Sequence, residues 1–181
     1  MNFNGSNQYG YVSQLGLTNS FTISAWIKKN DTTSTGWVVG AGWVATTGDG
    51  AGLGVALGVQ GSTIALTTWG NAGYVSVPGL EAGKWYHICA VQTGGALGGG
   101  TWTAKIYVNG TESASGAFYN YYCSTTGGAA VSYIGRNSHS SIDSYSYFGG
   151  SIGQLIVYNS TILTGNQVQD IYKQTRGRYG T

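Results

Sequence analysis

Alternation of apolar and polar residues is the main pattern along this chain. From Phe21 to Lys28, apolar side chains take every second position, which is the period of a strand with one buried face. Residues 102–108 alternate in the same way and end at Asn109-Gly110, a dipeptide typical of tight hairpin turns. The run from Trp85 to Val91 is apolar on both faces, which predicts a central strand covered on both sides.

Short strand-like runs separated by Gly or Asn predict further strands. They are residues 9–14, 37–40, 51–58, 63–68, 73–77, 131–135 and 152–158. Many short strands at this spacing are typical of an antiparallel sandwich or barrel. We therefore expect an all-β protein in which two antiparallel sheets enclose the core. The residues expected to be mostly buried between them are Phe3, Phe21, Ile23, Ile88, Leu155 and Val157.

One short helix is predicted near the C-terminus. Thr164 and Gln167 have the spacing of a capping box, and Leu163 and Val168 flank them at the spacing of a hydrophobic staple. A short apolar stripe follows, and Gly177 is a residue type that can end a helix. We expect this helix to close one edge of the sandwich.

Composition narrows the class of protein. Charged residues make up only 8% of the 181 residues, against about 25% in average soluble proteins. The length predicts a single domain spanning residues 1–181. A net charge of +2 without a basic cluster argues against nucleic-acid binding. No apolar run reaches about 18 residues, so we expect no membrane insertion. Cys89 and Cys123 are expected to be unpaired thiols, and a disulfide between them stays an open alternative.

Six segments resemble motifs of the laminin-G-like and concanavalin A-like lectin/glucanase jelly rolls. Residues 2–9 are similar to F-D-G-x-x-D-Y, and residues 83–91 are similar to G-x-W-Y-H-V-A-A-V. Further family motifs are resembled, in the family's order, by residues 21–28, 105–110, 134–136 with 148–154, and 156–158 with 163–172. The resemblance implies two antiparallel sheets packed face to face in a jelly-roll sandwich. It also implies adhesion, most often to glycans, and in some members a calcium ion.

The calcium ligands of the family are incomplete in this chain. Gln8 stands where an acidic residue is usual, and Gly153-Gln154 replaces the family's Asp-Glu. Because calcium prefers several carboxylate oxygens, we expect no high-affinity calcium site at this place. No other cofactor is expected either.

The sequence offers little for catalysis. Glycoside hydrolases of this fold use two carboxylates about 5–10 Å apart, but Glu81 and Glu112 have no acidic neighbour nearby in the sequence. His87 lies in an apolar run and is expected to be a core histidine, and no serine has the glycine pattern of a nucleophile elbow. We therefore expect no enzymatic activity.

Tyrosine and amide side chains concentrate in two loops, residues 118–122 and 137–147. Aromatic faces and polar side chains of this kind bind sugars by stacking and hydrogen bonding, although Tyr is equally typical of protein interfaces. Trp37, Trp43 and Trp69 lie in alternating runs and are expected to serve packing. The candidate ligand-binding residues are Tyr119, Tyr121, Asn137, His139, Asp143, Tyr145 and Tyr147.

The segment Lys173–Gly180 resembles the ending of laminin-G-like domains in bacteriophage and other viral structural proteins. Together with the low charge and the lack of a secretion signal, it favours a glycan-binding module displayed on a virion or another extracellular assembly. Its partners would be a surface glycan, other virion proteins and copies of itself. A purely structural capsid decoration, spike or tail-fibre protein is the alternative. Ile152 and Ile156 share a face in the alternation, and we expect them to form an outward apolar subunit contact.

Overall fold

The computed structural model describes residues 1–13, 15, 17, 20–43, 55–68, 73–94, 102–118, 130–137 and 146–181. The strands are β1 (Asn2–Asn4), β2 (Gly10–Ser13), β3 (Phe21–Lys29), β4 (Thr35–Trp43), β5 (Val55–Gln60), β6 (Thr63–Thr68), β7 (Tyr74–Val77), β8 (Trp85–Thr93), β9 (Thr103–Val108), β10 (Thr111–Ala117), β11 (Ala130–Ile134) and β12 (Gly149–Asn159). One helix, α1 (Gly165–Thr175), follows and leads into a 3-10 turn at Arg176–Arg178.

The strands form two antiparallel six-stranded sheets. The first sheet has the order β1-β12-β3-β8-β9-β10, and the second has the order β2-β11-β4-β5-β6-β7. Apolar side chains from both sheets meet in one cluster between them. The predicted all-β sandwich with one short C-terminal helix is therefore confirmed.

The predicted core residues lie in this cluster. Phe21, Ile23 and Ile88 are fully buried and Phe3 is nearly so, while Leu155 and Val157 are half-buried and pack against the same cluster. The alternating pattern located the core because every second residue of a strand points to the same face.

Residues 63–68 form β6 as predicted, and the other predicted strands appear with shifted ends. The turn at Asn109-Gly110 has positive φ at both residues, 50° and 79°, as the predicted tight hairpin requires. Two strands were not predicted, β1 and β10. β10 is mostly exposed at the edge of the first sheet and has no buried face, so it lacks the apolar alternation that identifies a strand.

A β-bulge in β12 changes which residues face the core. Ile152 pairs with Ile27, and after one extra residue Leu155 pairs with Ala25, so both point inward and Ile152 is fully buried. Ile156 pairs with Ser24 on the opposite face. A bulge shifts the alternation by one residue. The expected outward strip of Ile152 and Ile156 is therefore wrong, because Ile152 belongs to the core.

The start of α1 follows the predicted capping box. The Gln167 backbone N–H donates to Thr164 Oγ1 at 3.3 Å, and the Thr164 N–H donates to Gln167 Oε1 at 2.8 Å. Leu163 and Val168 are buried in a second small cluster. The helix ends at Thr175, before Gly177, which lies in the 3-10 turn.

The sequence led us to expect that the helix closes one edge of the sandwich. Instead, it lies on the outer face of the first sheet. Trp26 on β3 donates from Nε1 to Thr175 Oγ1 at 2.9 Å, and its ring stacks on Tyr172 with centroids 5.8 Å apart. Trp26 is consequently buried on the face of β3 that the pattern left to solvent. The helix covers the outer face of β8, and the second sheet covers its inner face. This agrees with the apolar sequence of β8, which predicts a strand covered on both sides.

Two further features of the described residues bear on the sequence predictions. Cys89 is a buried free thiol, and burial raises its pKa to about 12, while Cys123 lies outside the described residues. Among the described residues, no helix has the length and apolar character needed to span a membrane.

Candidate functional site

Four tyrosines gather around Arg136 at the β2 edge of the second sheet. The rings of Tyr9 and Tyr133 lie edge to face with centroids 5.5 Å apart, and Tyr11 lies 5.9 Å from Tyr133. Tyr147 lies 6.1 Å from Tyr9. We call Tyr9, Tyr11, Tyr133, Tyr147 and Arg136 the tyrosine cluster.

Strand pairing places the cluster on the outer face of the second sheet. Tyr11 on β2 is directly opposite Tyr133 on β11. The two neighbours of Tyr133 point inward, since Ser132 is buried and Ile134 packs against the core. Tyr9 and Tyr11 are 46% and 64% exposed, so two rings of the cluster are partly exposed to solvent.

Arg136 packs against two rings of the cluster. Its guanidinium carbon lies 4.1 Å from the centroid of Tyr133 and 4.7 Å from that of Tyr9, within the range of cation–π contacts. Its Nε–H donates to the Asn137 carbonyl oxygen at 3.0 Å. Arg136 is only 9% exposed, so it contacts the rings from a buried position.

The second sheet continues this outer face as a row of paired residues. Tyr133 pairs with Gly40, which pairs with Ala56. Ala56 pairs with Thr67, and Thr67 pairs with Tyr74 on β7. Gly40 and Ala56 are buried, whereas Tyr74 is 46% exposed. The row thus has an exposed tyrosine at each end of the sheet.

Two of the predicted ligand-binding residues belong to this region. Tyr147 is half-buried within the tyrosine cluster, and Asn137 is a buried residue whose carbonyl holds Arg136. The remaining five lie outside the described residues. They are Tyr119, Tyr121, His139, Asp143 and Tyr145.

The sequence analysis missed Tyr9, Tyr11, Tyr133 and Arg136. The two predicted strands at 9–14 and 131–135 contain Tyr9, Tyr11 and Tyr133 at alternate positions. Alternation therefore placed them on one face of each strand. It did not show that the two strands pair, and this pairing assembles the cluster.

The polar groups in the turn that precedes Tyr9 form hydrogen bonds with one another. Asn4 Oδ1 accepts backbone N–H bonds from Ser6, Asn7 and Gln8 at 3.0, 3.1 and 3.3 Å. Asn4 Nδ2 also donates to Asn7 Oδ1 at 2.8 Å. These bonds fix the turn that leads into Tyr9.

The Asp31 carboxylate also accepts several hydrogen bonds from its own loop. The Ser34 and Thr33 backbone N–H groups donate to Asp31 Oδ1 at 2.7 and 2.9 Å, and these bonds hold the pKa of Asp31 well below its usual range. The buried Lys29 ammonium lies 3.5 Å from the same oxygen and donates to Ser34 Oγ at 2.7 Å. Burial lowers the pKa of Lys29. Asp31 is therefore a loop anchor and not a ready metal ligand.

The structure explains why Gly153-Gln154 stands where the family usually has Asp-Glu. A Cβ on Gly153 would lie 2.6 Å from the ring of Tyr179, and the Gln154 N–H donates to Tyr179 Oη at 2.8 Å. Within the described residues no group of three or more His, Cys, Asp or Glu side chains could hold a metal ion. The lack of a calcium site at Gln8 and Gly153-Gln154 stays a prediction.

A serine and a histidine also meet, beneath α1. His87 Nε2 lies 2.9 Å from Ser24 Oγ, and both residues are buried. Burial lowers the pKa of His87 to about 4, and its Nδ1 has no hydrogen-bond partner in the part of the chain that the structure describes. A catalytic triad needs an acid at that nitrogen and a reachable serine. The pair therefore serves packing, as the sequence predicts for His87.

The two glutamates considered for hydrolysis are each paired with a lysine. Glu81 contacts Lys84 at 2.7 Å, and Glu112 contacts Lys105 at 2.8 Å. Glu81 precedes β8 and Glu112 lies on the edge strand β10. They belong to separate local ion pairs, and the absence of hydrolase activity stays a prediction.

Comparison with known proteins identifies the family. Residues 4–169 match the laminin-G family model described as the concanavalin A-like lectin/glucanases superfamily. No curated protein matches the chain.

Solved structures share the fold. The native heptameric SAP-like pentraxin from Limulus polyphemus is 21% identical, with a TM-score of 0.64 over 94% of this chain and 80% of the pentraxin. A putative carbohydrate binding protein from Bacteroides ovatus is 21% identical, with a TM-score of 0.60 over 92% of this chain and 45% of that protein. The Ruminococcus gnavus IT-sialidase CBM40, solved with α2,3-sialyllactose, is 12% identical, with a TM-score of 0.67 over 95% and 94% of the two chains.

Because these structures are at most 21% identical to this chain, they show that the fold is shared and nothing more. The family assignment depends on the family model, which matches residues 4–169. By that match, the chain belongs to the concanavalin A-like lectin/glucanases superfamily.

Proposed function

We propose that residues 1–181 form one non-catalytic glycan-binding module, and that its sugar site is the tyrosine cluster. The observation that carries the proposal is the pair of exposed rings, Tyr9 and Tyr11, of which Tyr9 packs on the buried Arg136 and both contact the ring of Tyr133. Aromatic residues that stay exposed in a fixed arrangement are typical of binding surfaces.

The physical basis is a preorganised platform. The apolar C–H face of a sugar ring stacks on Tyr11 or Tyr9, while the tyrosine hydroxyls hydrogen-bond to the sugar hydroxyls. Tyr11 and Tyr133 stand on paired strands, so little side-chain freedom is lost when a ligand binds. The turn fixed by Asn4 leads directly into Tyr9 and adds to this rigidity.

The relatives support the class of ligand. The Bacteroides ovatus protein is named a putative carbohydrate binding protein, and the Ruminococcus gnavus module is bound to a sialylated sugar. Both properties belong to those proteins, and the shared fold makes a sugar the first ligand to test here.

The chain offers a matched pair of variants for this test. Tyr11 and Tyr74 are both exposed, and they stand at opposite ends of one row, separated by β11, β4, β5 and β6. Glycan-array screening followed by calorimetry should show that Tyr11→Ala weakens binding by about tenfold or more, a change of roughly 1.4 kcal/mol. Tyr74→Ala should bind as the parent protein does. Equal binding by all three proteins, with unchanged melting temperatures, would place the sugar elsewhere.

We further propose display on a virus particle or another extracellular assembly, where the module contacts other virion proteins and further copies of itself. The support is the resemblance of Lys173–Gly180 to the ending of viral laminin-G-like domains. A purely structural role without a sugar site is the alternative. Light scattering of the purified protein and immunolabelling of native particles test the setting. A monodisperse monomer at high concentration that no particle contains would contradict it.

A further inference from the structure

We propose that the ligand of the tyrosine cluster is a neutral glycan and not an acidic one. This inference rests on the proposed function and names the chemistry of its sugar. It follows from where the charges of this chain lie relative to the second sheet.

The six strands of the second sheet contain no Asp, Glu, Lys, Arg or His within their bounds. Among the side chains that the structure describes, those of the outer face near the cluster include Tyr11 and Tyr133, which carry hydroxyls. Such groups match the hydroxyls of a neutral sugar, which both donate and accept hydrogen bonds.

All eight Lys and Arg residues of the chain lie in its described part. Seven of them are placed away from the tyrosine cluster. They are Lys28 over the Trp85 ring, Lys29 at Ser34, Lys84 at Glu81, Lys105 at Glu112, Lys173 at Gln169, and Arg176 and Arg178 in the turn after α1. A sugar carboxylate or sulfate on the second sheet would therefore meet none of these cations.

Arg136 is the one cation of the cluster, and its geometry suits orientation more than anion binding. The guanidinium lies against the faces of Tyr9 and Tyr133, its Nε–H is bonded to the Asn137 carbonyl, and the residue is 9% exposed. Recognition of a carboxylate by arginine uses the open fork of N–H groups in a bidentate pair. A residue that is only 9% exposed and packs beside two roughly perpendicular rings presents little of that fork to a ligand.

The segments outside the described residues cannot add a Lys or Arg, because the sequence has none there. Their acidic residues are Asp49 and Asp143. Burying an anion without a cationic partner costs its hydration. Composition and placement thus both favour an uncharged ligand.

The experiment compares matched glycans on an array and by calorimetry. The probes are lactose-terminated glycans with and without a terminal sialic acid, and neutral glucans with and without oxidation to uronic acids. For each pair that binds, we expect the neutral glycan to bind at least as tightly as the acidic one. Its affinity should change by less than about twofold between low and high salt, because no exposed ion pair is screened. Tyr11→Ala should weaken that binding.

Two other outcomes would separate a failure of the neutral-ligand inference from a failure of the proposed function. Binding that requires the acidic group and falls steeply with salt, while still lost in Tyr11→Ala, would overturn the neutral-ligand inference and leave the proposed function standing. A folded protein that binds no glycan of either kind would overturn the proposed function itself.

Discussion

Tyr179 stacks on Trp26 with ring centroids 4.3 Å apart and ring planes inclined by 18°. The same ring lies 4.8 Å from that of Trp85, and its hydroxyl accepts the Gln154 N–H at 2.8 Å. The C-terminal segment thus completes the outer face of the first sheet. This contact also explains why Gly153 stands where the family usually has Asp, because any Cβ there would meet the Tyr179 ring.

The first prediction concerns this contact. Tyr179→Ala should lower the free energy of unfolding by about 2 kcal/mol, less than the roughly 3–5 kcal/mol for a fully buried aromatic residue, because Tyr179 is half-buried. Urea denaturation followed by tryptophan fluorescence measures the change. Tyr74→Ala, on an exposed tyrosine of the second sheet, is the control and should stay within about 0.5 kcal/mol of the parent.

The second prediction is a coupling between Gly153 and Tyr179. Gly153→Ala should destabilise the parent protein because its new Cβ needs the space of the ring, and it should cost clearly less in a Tyr179→Ala background. A double-mutant cycle isolates this interaction. Equal costs in both backgrounds would show that the ring does not constrain residue 153.

The third prediction concerns pH. Burial lowers the pKa of His87 to about 4 in the folded protein, below the unperturbed value of about 6.5 expected in the unfolded chain. The unfolded state therefore binds more protons between these values, so stability falls as pH decreases from about 6.5 to about 4, by up to roughly 3 kcal/mol. In the part of the chain that the structure describes, Ser24, Trp26 and Tyr172 face the imidazole, and none of these three is a carboxylate that could offset the new charge.

Unfolding free energies measured across this range test the pH prediction. His87→Gln should flatten the slope, because the titrating group is gone. His139→Gln, which removes the other histidine of the chain, is the control and should keep most of the slope. A parent protein with the same stability at both ends of the range would contradict the assignment to His87.

The fold was predictable from sequence because burial is periodic. β3, β8 and β9 carry their core residues at every second position, and the hairpin at Asn109-Gly110 has its own local signature. β10 could not be found in this way, since an exposed edge strand of small polar residues buries no face.

The bulge in β12 marks a limit of the same reasoning. An extra residue between Ile152 and Leu155 reverses the facing of everything after it, and nothing in the apolar pattern shows where the extra residue is inserted. Ile156 was therefore grouped with Ile152, although the two residues lie on opposite faces of the first sheet.

That correction gives the fourth prediction. Ile152→Ala should cost about 2–4 kcal/mol of unfolding free energy, because it leaves a cavity in the core, and Ile152 is fully buried. Ile156→Ala should cost clearly less, since Ile156 is half-buried outside that core. Chemical denaturation of the two variants compares them directly, and equal losses would contradict the bulged register.

The candidate site was only partly predictable. Tyr147 was identified from a tyrosine-rich loop, but Tyr9, Tyr11 and Tyr133 come from two distant segments. They meet because β2 and β11 pair at the edge of the second sheet. Which strands pair over such a distance depends on the whole topology, so local patterns left the cluster unassembled.

The most direct test of the sugar site is an NMR titration of the labelled protein with the tightest-binding neutral glycan from the array. The account predicts that the largest chemical-shift changes fall on β2 and β11, around Tyr11 and Tyr133, and that they disappear in Tyr11→Ala. Changes confined to α1 and the turn at Arg176–Arg178, with β2 and β11 unaffected, would contradict it.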